Sequence, residues 1–156
     1  MSFFKSVDED VICIARNNSE NGLSSFALFD FELEGKNWPS VEHYFQAMKF
    51  SEGEYQESIR AANTAKKAQK LGRTRFKKIR KDWSKIRETI MTRAVYTKCR
   101  TYNDLAAQLL ATGDGTLVDN SQYDYFWGCG RDRRGNNAYG KVLMNVRDKL
   151  REERKA

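Results

Sequence analysis

A chain of 156 residues, 40% hydrophobic and 12% aromatic, is long enough for one domain around one core. Its charged residues reach 31% but are interleaved with periodic apolar segments, which argues against disorder, and no run of about 18 apolar residues exists to span a membrane. The net charge of +7, concentrated between Lys66 and Arg87, suits an anionic ligand such as a phosphorylated nucleotide or nucleic acid; charge alone favours the plainer reading, a solvated basic surface.

In chain order, the first ten residues lack a signal-peptide core, so a cytoplasmic location is expected. Val11 to Ile14 reads as a short strand and the polar stretch Ser19 to Ser25 as a loop. Phe29, Phe31 and Leu33 alternate with acidic residues, which puts the apolar trio on one face of a strand before a turn at Gly35-Lys36. Trp38-Pro39-Ser40 opens a helix with Ser40 as N-cap and Val41, Tyr44, Phe45 and Met48 inward. A second helix starts near Asn63 or Thr64 and ends around Gly72. A third runs from about Asp82 to Arg100 with Trp83, Ile86, Ile90, Ala94 and Thr97 along one stripe. Asn103 caps a fourth that stops at Gly113. Thr116 to Val118 reads as a short strand, and Asp119 to Asn137 as a structured loop. A last helix buries Val142, Leu143, Val146 and Leu150. The pattern predicts an α+β fold, a mainly helical single domain over residues 1–156 with a small β-sheet.

Cys13, Cys99 and Cys129 are scattered and odd in number, so no disulfide framework is expected. With His43 as the only histidine there is no zinc spacing, and neither a metal nor another cofactor is implied. Chemistry then rests on carboxylates, lysines, hydroxyls, amides and aromatics.

Three segments can carry it. In the first helix, Glu42, Gln46 and Lys49 at i, i+4 and i+7 share a face away from the apolar stripe, with Glu42 and Lys49 about 10 Å apart along the axis. Periodicity alone makes this the polar face of an amphipathic helix; a ligand lying over it would meet all three side chains. In Tyr125-Phe126-Trp127-Gly128-Cys129-Gly130, two glycines beside three aromatics suit close approach of backbone to a flat ligand. Trp127 either stacks on a base or plugs the core edge, and the spacing favours neither. Cys129 has no histidine near it and reads as inert packing. The third segment, Arg131 to Gly140, leads into a helix whose first amides can hold a phosphate, or is a solvated basic loop with an Asn N-cap; it matches no Walker or dinucleotide fingerprint.

Together these segments resemble the NADAR (YbiA-like) family. The string Trp38-Pro39-Ser40-Val41-Glu42-His43-Tyr44-Phe45-Gln46-Ala47-Met48-Lys49-Phe50 resembles its long signature. Trp127-Gly128-Cys129-Gly130 resembles its Trp-Gly-x-Gly loop. Asn137-Ala138-Tyr139-Gly140 with Leu143-Met144 and Arg147 resembles its closing helix. Leu71-Gly72-Arg73 and Leu109-Leu110-Ala111-Thr112 fall in order between them. The chain departs from the pattern at Leu23-Ser24-Ser25-Phe26, where the family often reads Phe-Ser-x-Phe with Asn third. It departs again at Asp119 (often Glu), Cys129 (Asp in the bacterial YbiA-type member) and Tyr139 (usually Leu).

The resemblance implies a hydrolase of C–N glycosidic bonds to ribose. Its substrate would be a phosphorylated ribosylamino-pyrimidine of riboflavin synthesis or ADP-ribose linked to guanine, free or in nucleic acid. Glu42, Lys49, Asp119 and Asp124 are the implied catalytic residues, Glu42 first among the carboxylates and Lys49 as an amine able to form a Schiff base. Trp38, His43, Gln46, Trp127, Gly128, Gly130 and Asn137 are the implied substrate-binding residues. A module that binds ADP-ribose or NAD without cleaving it is the second reading, and a nucleic-acid binder on the Lys66 to Arg87 surface the third.

Overall fold

The alternating stretch ahead of Gly35 folds into a hairpin. In the computed structural model, which describes residues 11–155, strand β2 (Phe31–Leu33) pairs antiparallel with β3 (Lys36–Trp38), Phe31 opposite Trp38 and Leu33 opposite Lys36. Glu34 and Gly35 both have positive φ, 56° and 78°, as a two-residue hairpin turn of the favoured hand requires. The turn therefore sits one residue earlier than Gly35-Lys36, and Lys36 already belongs to the ladder. Phe29 lies outside the strand and packs edge-on against Tyr102, centroids 5.2 Å apart. The N-terminal decapeptide, read above for a signal core, lies outside the described residues.

The two other strands come from distant parts of the chain. β1 (Val11–Cys13) runs parallel to β4 (Thr116–Val118), with Ile12 opposite Leu117. The architecture is α+β, mainly helical, with two separate two-stranded sheets among the described residues.

Helix α1 (Val41–Ala47) starts as expected: the Ser40 hydroxyl accepts from the His43 amide at 3.2 Å. Helix α2 (Gly53–Arg60) escapes sequence reading because it opens without a side-chain cap and buries only Ile59. Helix α3 (Ala65–Gly72) is capped by Thr64, whose hydroxyl accepts from Lys67 N at 3.0 Å. The long α4 (Trp83–Thr101) buries Ile90 and Ala94 as predicted, together with Met91, Val95, Lys98 and Cys99. Thr97 of the predicted stripe is half-buried and bonds back to the Arg93 carbonyl. Helix α5 (Asn103–Leu110) has Tyr102 at its cap, so Asn103 is its first helical residue. Helix α6 (Ala138–Lys155) buries Val142, Leu143, Val146 and Leu150, the four predicted.

One difference matters for function. The face carrying Glu42 and Gln46 is not solvated, because α1 is enclosed by α2, α3, α4 and β3 and every one of its residues is buried. An apolar shell that includes Trp38, Tyr44, Phe45, Phe50 and Trp127 surrounds it in one continuous core. Polar side chains in such a place must bond to one another or to backbone. No helix among the described residues is long and apolar enough to cross a membrane.

Candidate active site

Burying Glu42 demands a partner, and the partner is Arg16, in the turn that follows β1. Glu42 is fully buried and Arg16 is 5% exposed. Arg16 Nη1 pairs with Glu42 Oε2, which also accepts from the Ser25 hydroxyl at 2.9 Å. Glu42 Oε1 accepts from Gln46 Nε2 at 2.7 Å, the bond that the i, i+4 spacing makes possible. The second Arg16 nitrogen, Nη2, lies 4.0 Å from Asp124 Oδ2, and the guanidinium sits against Phe26 and Trp127, 6.0 and 5.7 Å from their centroids. Buried ion pairs hold when both members find further bonds, and this one does.

Lys49 lies beyond the end of α1, whose C-cap is Met48, so it does not continue the Glu42–Gln46 face. Its backbone N–H donates to Gln46 O, and its Nζ reaches across to the Gly72 carbonyl at the end of α3, 2.6 Å away. Burial holds the Lys49 pKa below the usual lysine range; Glu42 opposes this, while Arg73 and Arg16 add to it.

Asp119 directly follows β4 and is 1% exposed. Its Oδ1 accepts from the Ser121 amide at 3.0 Å and hydroxyl at 2.5 Å, whereas Oδ2 is buried with no partner. Burial raises its pKa, against the Ser121 bonds and Arg16. Asp124 Oδ1 accepts from the Phe126 and Trp127 amides at 3.0 and 2.8 Å and so shapes the aromatic loop.

Above these groups opens a cleft of ≈ 790 Å³, lined by Arg16, Asn17, Gln69, Arg73 and the loop from Asn120 to Phe126. A second cavity of ≈ 510 Å³, with Phe26, Leu28 and Lys66 on its wall, shares Asn17 and Gln69 with it. Of the residues singled out from sequence, Asp124 lines the cleft. Glu42, Gln46, Lys49, Asp119 and Trp127 do not line it but are grouped around or close to Arg16, which does.

Other predicted residues are committed to the scaffold. His43 is fully buried, its Nε2 2.8 Å from the Ala62 carbonyl and its Nδ1 2.7 Å from the Ser40 hydroxyl. A carbonyl only accepts, so Nε2 carries the proton and Ser40 donates to Nδ1; burial lowers the His43 pKa. Trp38 is buried with its Nε1 donating to Leu33 O at 3.0 Å. Asn137 clamps β4: its Oδ1 accepts from Asp119 N and its Nδ2 donates to Leu117 O, at 2.8 and 3.0 Å. Gly128 and Gly130 sit where an added Cβ would strike the Asp124 carbonyl and the Tyr125 ring respectively.

The amides at the start of α6 do not wait for a phosphate. Asn137, Ala138 and Tyr139 N–H donate to the carbonyls of Gly128, Phe126 and Trp127. The loop folds back on its own helix, and those donors are spent. Arg131, Arg133 and Arg134 are exposed, as a solvated basic loop requires.

Arg16 and Gln69 were not singled out by sequence reading, and Ser25 and Arg73 entered it only as parts of the family pattern, with no role. Arg16 is a lone cation in a polar turn, and no local pattern separates it from the other arginines. Gly72 has a legible reason once the fold is known: a Cβ there would overlap the Gln46 amide. Gly72→Ala is expected to cost about 1–3 kcal/mol of stability in urea denaturation and to displace Gln46 from Glu42. A variant as stable as wild type would show that the amide moves aside freely.

A small α+β protein with a buried guanidinium–carboxylate cluster under a polar, aromatic-rimmed cleft is the class that fold and site define. The family model for the NADAR domain matches residues 3–151, and the chain belongs to the NADAR family. It is 39% identical to the N-glycosidase YbiA of Escherichia coli (strain K12) over 128 residues, 82% of this chain and 80% of that protein. It is 42% identical over 130 residues to the riboflavin biosynthesis protein VVA0006 of Vibrio vulnificus (strain YJ016), covering 83% of this chain and 35% of that one. The NMR structure of the E. coli protein YbiA superposes with a TM-score of 0.84 at 36% identity, covering 92% of this chain and 86% of that structure.

Proposed function

We propose that this chain is an N-glycosidase, a hydrolase that cleaves the bond between ribose C1 and the nitrogen of an amino-substituted heterocycle. The observation that carries the reading is the Arg16–Glu42 pair, whose guanidinium lines the cleft, with the Asp119 carboxyl and the Lys49 amine close to Arg16. The family membership and the N-glycosidase name of a relative 39% identical support it.

Departure of the heterocycle builds positive charge on C1 and the ring oxygen, and the leaving nitrogen takes a proton. Glu42 supplies the negative charge of the site. Asp119, its pKa raised by burial and its Oδ2 unpartnered, is suited to give the proton. Asp124 orients the loop and faces Arg16. Lys49 has a pKa lowered by burial and so offers a neutral amine for attack on C1. Trp38, His43, Gly128, Gly130 and Asn137 serve the site by holding its walls. Gln46 bonds Glu42 and keeps an unpartnered buried Oε1, and Trp127 lies against the Arg16 guanidinium.

The phosphorylated ribosylamino-pyrimidine of riboflavin synthesis is the first substrate we assign, consistent with the name of the Vibrio relative. Arg73 on the cleft wall offers a cation for its phosphate, which supports the assignment. One observation favours the larger guanine-linked ADP-ribose as a second reading: the adjoining cavity with Lys66 gives room for another nucleotide half. Side-by-side assays of released base on both compounds decide between them. Binding of either with hydrolysis of neither would replace the enzyme with a recognition module.

A further inference from the structure

We infer that Lys98 and Tyr139 are positioning residues that suspend the Leu23–Ser25 segment and thereby hold Ser25 in the Arg16–Glu42 bridge. The inference rests on the glycosidase reading for its rate measurements and is independent of that reading for its spectroscopic one.

Three successive carbonyls of this buried segment are each taken by a different element. The Tyr139 hydroxyl of α6 donates to Leu23 O at 2.6 Å. Lys98 Nζ of α4 donates to Ser24 O at 2.9 Å. The Glu42 amide of α1 donates to Ser25 O at 3.0 Å. Leu23, Ser24 and Ser25 are all buried, so water cannot replace these donors. What the suspended segment presents is the Ser25 hydroxyl, 2.9 Å from Glu42 Oε2 and 3.3 Å from Arg16 Nη1.

Lys98 is an unusual choice for that work. It is fully buried on α4, and no carboxylate pairs with it among the described residues. Beyond Ser24 O its ammonium meets the Phe29 ring, 5.7 Å from the centroid. A hydrophobe would fill the space at less electrostatic cost, so the ammonium earns its place by the bond it makes. Tyr139 is likewise fully buried, and its hydroxyl has Leu23 O as its partner.

The arrangement has a consequence with pH. Burial pulls the Lys98 pKa down to about 8. Of the titratable groups, Cys99 on its own helix acts on Lys98 directly; Tyr139 of α6 bonds the adjacent Leu23 carbonyl, Tyr102 lies edge-on to Phe29, and Arg16, Glu42 and Asp119 act on Tyr139. Burial pushes Cys99 up to about 11 and Tyr139 well above its usual range, and Tyr102 is also raised, so none of the three loses its proton near pH 8. As pH rises through about 8, Lys98 becomes neutral and its bond to Ser24 O weakens.

The test uses the full chain and three measurements. Lys98→Met should lower kcat by about tenfold with KM little changed, the scale of a displaced site group. It should also raise the ratio of kcat at about pH 9 to that at about pH 7 relative to wild type, because the loss that follows Lys98 deprotonation is then absent. Tyr139→Phe should lower kcat by about threefold, as one weakened tether implies, and keep the wild-type ratio. In ligand-free wild-type protein, NMR signals of the Ser24 and Ser25 amides and the Arg16 side chain should step with a midpoint near pH 8, while remote core signals stay fixed. Unchanged kcat and unchanged pH ratio in folded Lys98→Met overturn the inference. So does a flat wild-type NMR titration, which needs neither a substrate nor a folded variant. Loss of all hydrolysis by wild type sinks the glycosidase reading instead and leaves the NMR result to decide this one.

Discussion

Glu42→Gln is expected to lower kcat by about 10²–10³-fold, the range seen when one preorganised electrostatic group is removed from a site. Stability should fall with it. Arg16 is 5% exposed and Glu42 is its nearest counter-charge, while Asp124 stands 4.0 Å away with its carboxylate partly exposed. Removing one member of a buried pair leaves the other desolvated and uncompensated, at about 3–5 kcal/mol. Total stability of a domain is only about 5–15 kcal/mol, so the variant should remain folded at low temperature and melt early. The double variant Arg16→Met with Glu42→Met separates the two effects. Apolar side chains of similar volume remove the desolvation cost, so urea denaturation should show most of the lost stability returned. Activity should stay absent, because the Glu42 carboxylate is still missing. Wild-type turnover by Glu42→Gln would end the assignment of this site.

Lys49→Ala should reduce turnover by about 10²–10⁴-fold, the range for a group that moves a proton or attacks directly. The chemistry we assign to Lys49 is an exchange of imines. After ring opening, the neutral amine adds to the C1=N bond, the heterocycle leaves with both hydrogens on its nitrogen, and the sugar stays on Lys49 as an imine. Water then releases the sugar aldehyde and returns the amine. Only the neutral amine attacks, so the rate should rise as pH climbs through the Lys49 pKa. That rise should come at lower pH than for an exposed lysine, because burial depresses the value. Borohydride added during turnover should fix a sugar adduct on Lys49, found by mass spectrometry. Full activity with no adduct under conditions of rapid turnover would assign water as the direct nucleophile. Lys49→Arg should not rescue the rate, since a guanidinium does not deprotonate. The loss of the Gly72 contact should cost Lys49→Ala only about 1 kcal/mol of stability, far too little to explain inactivity.

Family departures noted in the sequence meet in space. Tyr139 donates to the carbonyl of Leu23, so an altered helix residue and an altered loop residue form one hydrogen bond. Asp119 keeps a buried carboxyl with one oxygen unpartnered. Cys129 is half-buried, its Sγ 3.5 Å from the Gly130 carbonyl, and nothing in its surroundings gives it a role in the reaction.

The sequence by itself determined the elements whose signals are local. A hydroxyl placed three residues before a free amide marks the starts of α1 and α3, and helical spacing of apolar residues marks α4 and α6. The i, i+4 relation of Glu42 and Gln46 was legible for the same reason and is realised as a hydrogen bond. Helix α2 was not legible, because it has no capping side chain and only one buried residue, so neither signal exists. Which way Glu42 faces was decided only by the tertiary structure. Its spacing fits a solvated face equally well, and it becomes a buried acid because four other elements close around α1 and the turn after β1 brings Arg16 to it. The first signature segment, Trp38 to Phe50, thus divides. Its local pattern and residue string gave the helix and the family, whereas the surroundings of its polar residues were set by the fold: His43 bonded to Ala62, Glu42 paired with Arg16, Lys49 reaching to α3. Contacts between residues distant in sequence leave no periodic trace, and the electrostatics of burial arise only once those contacts form.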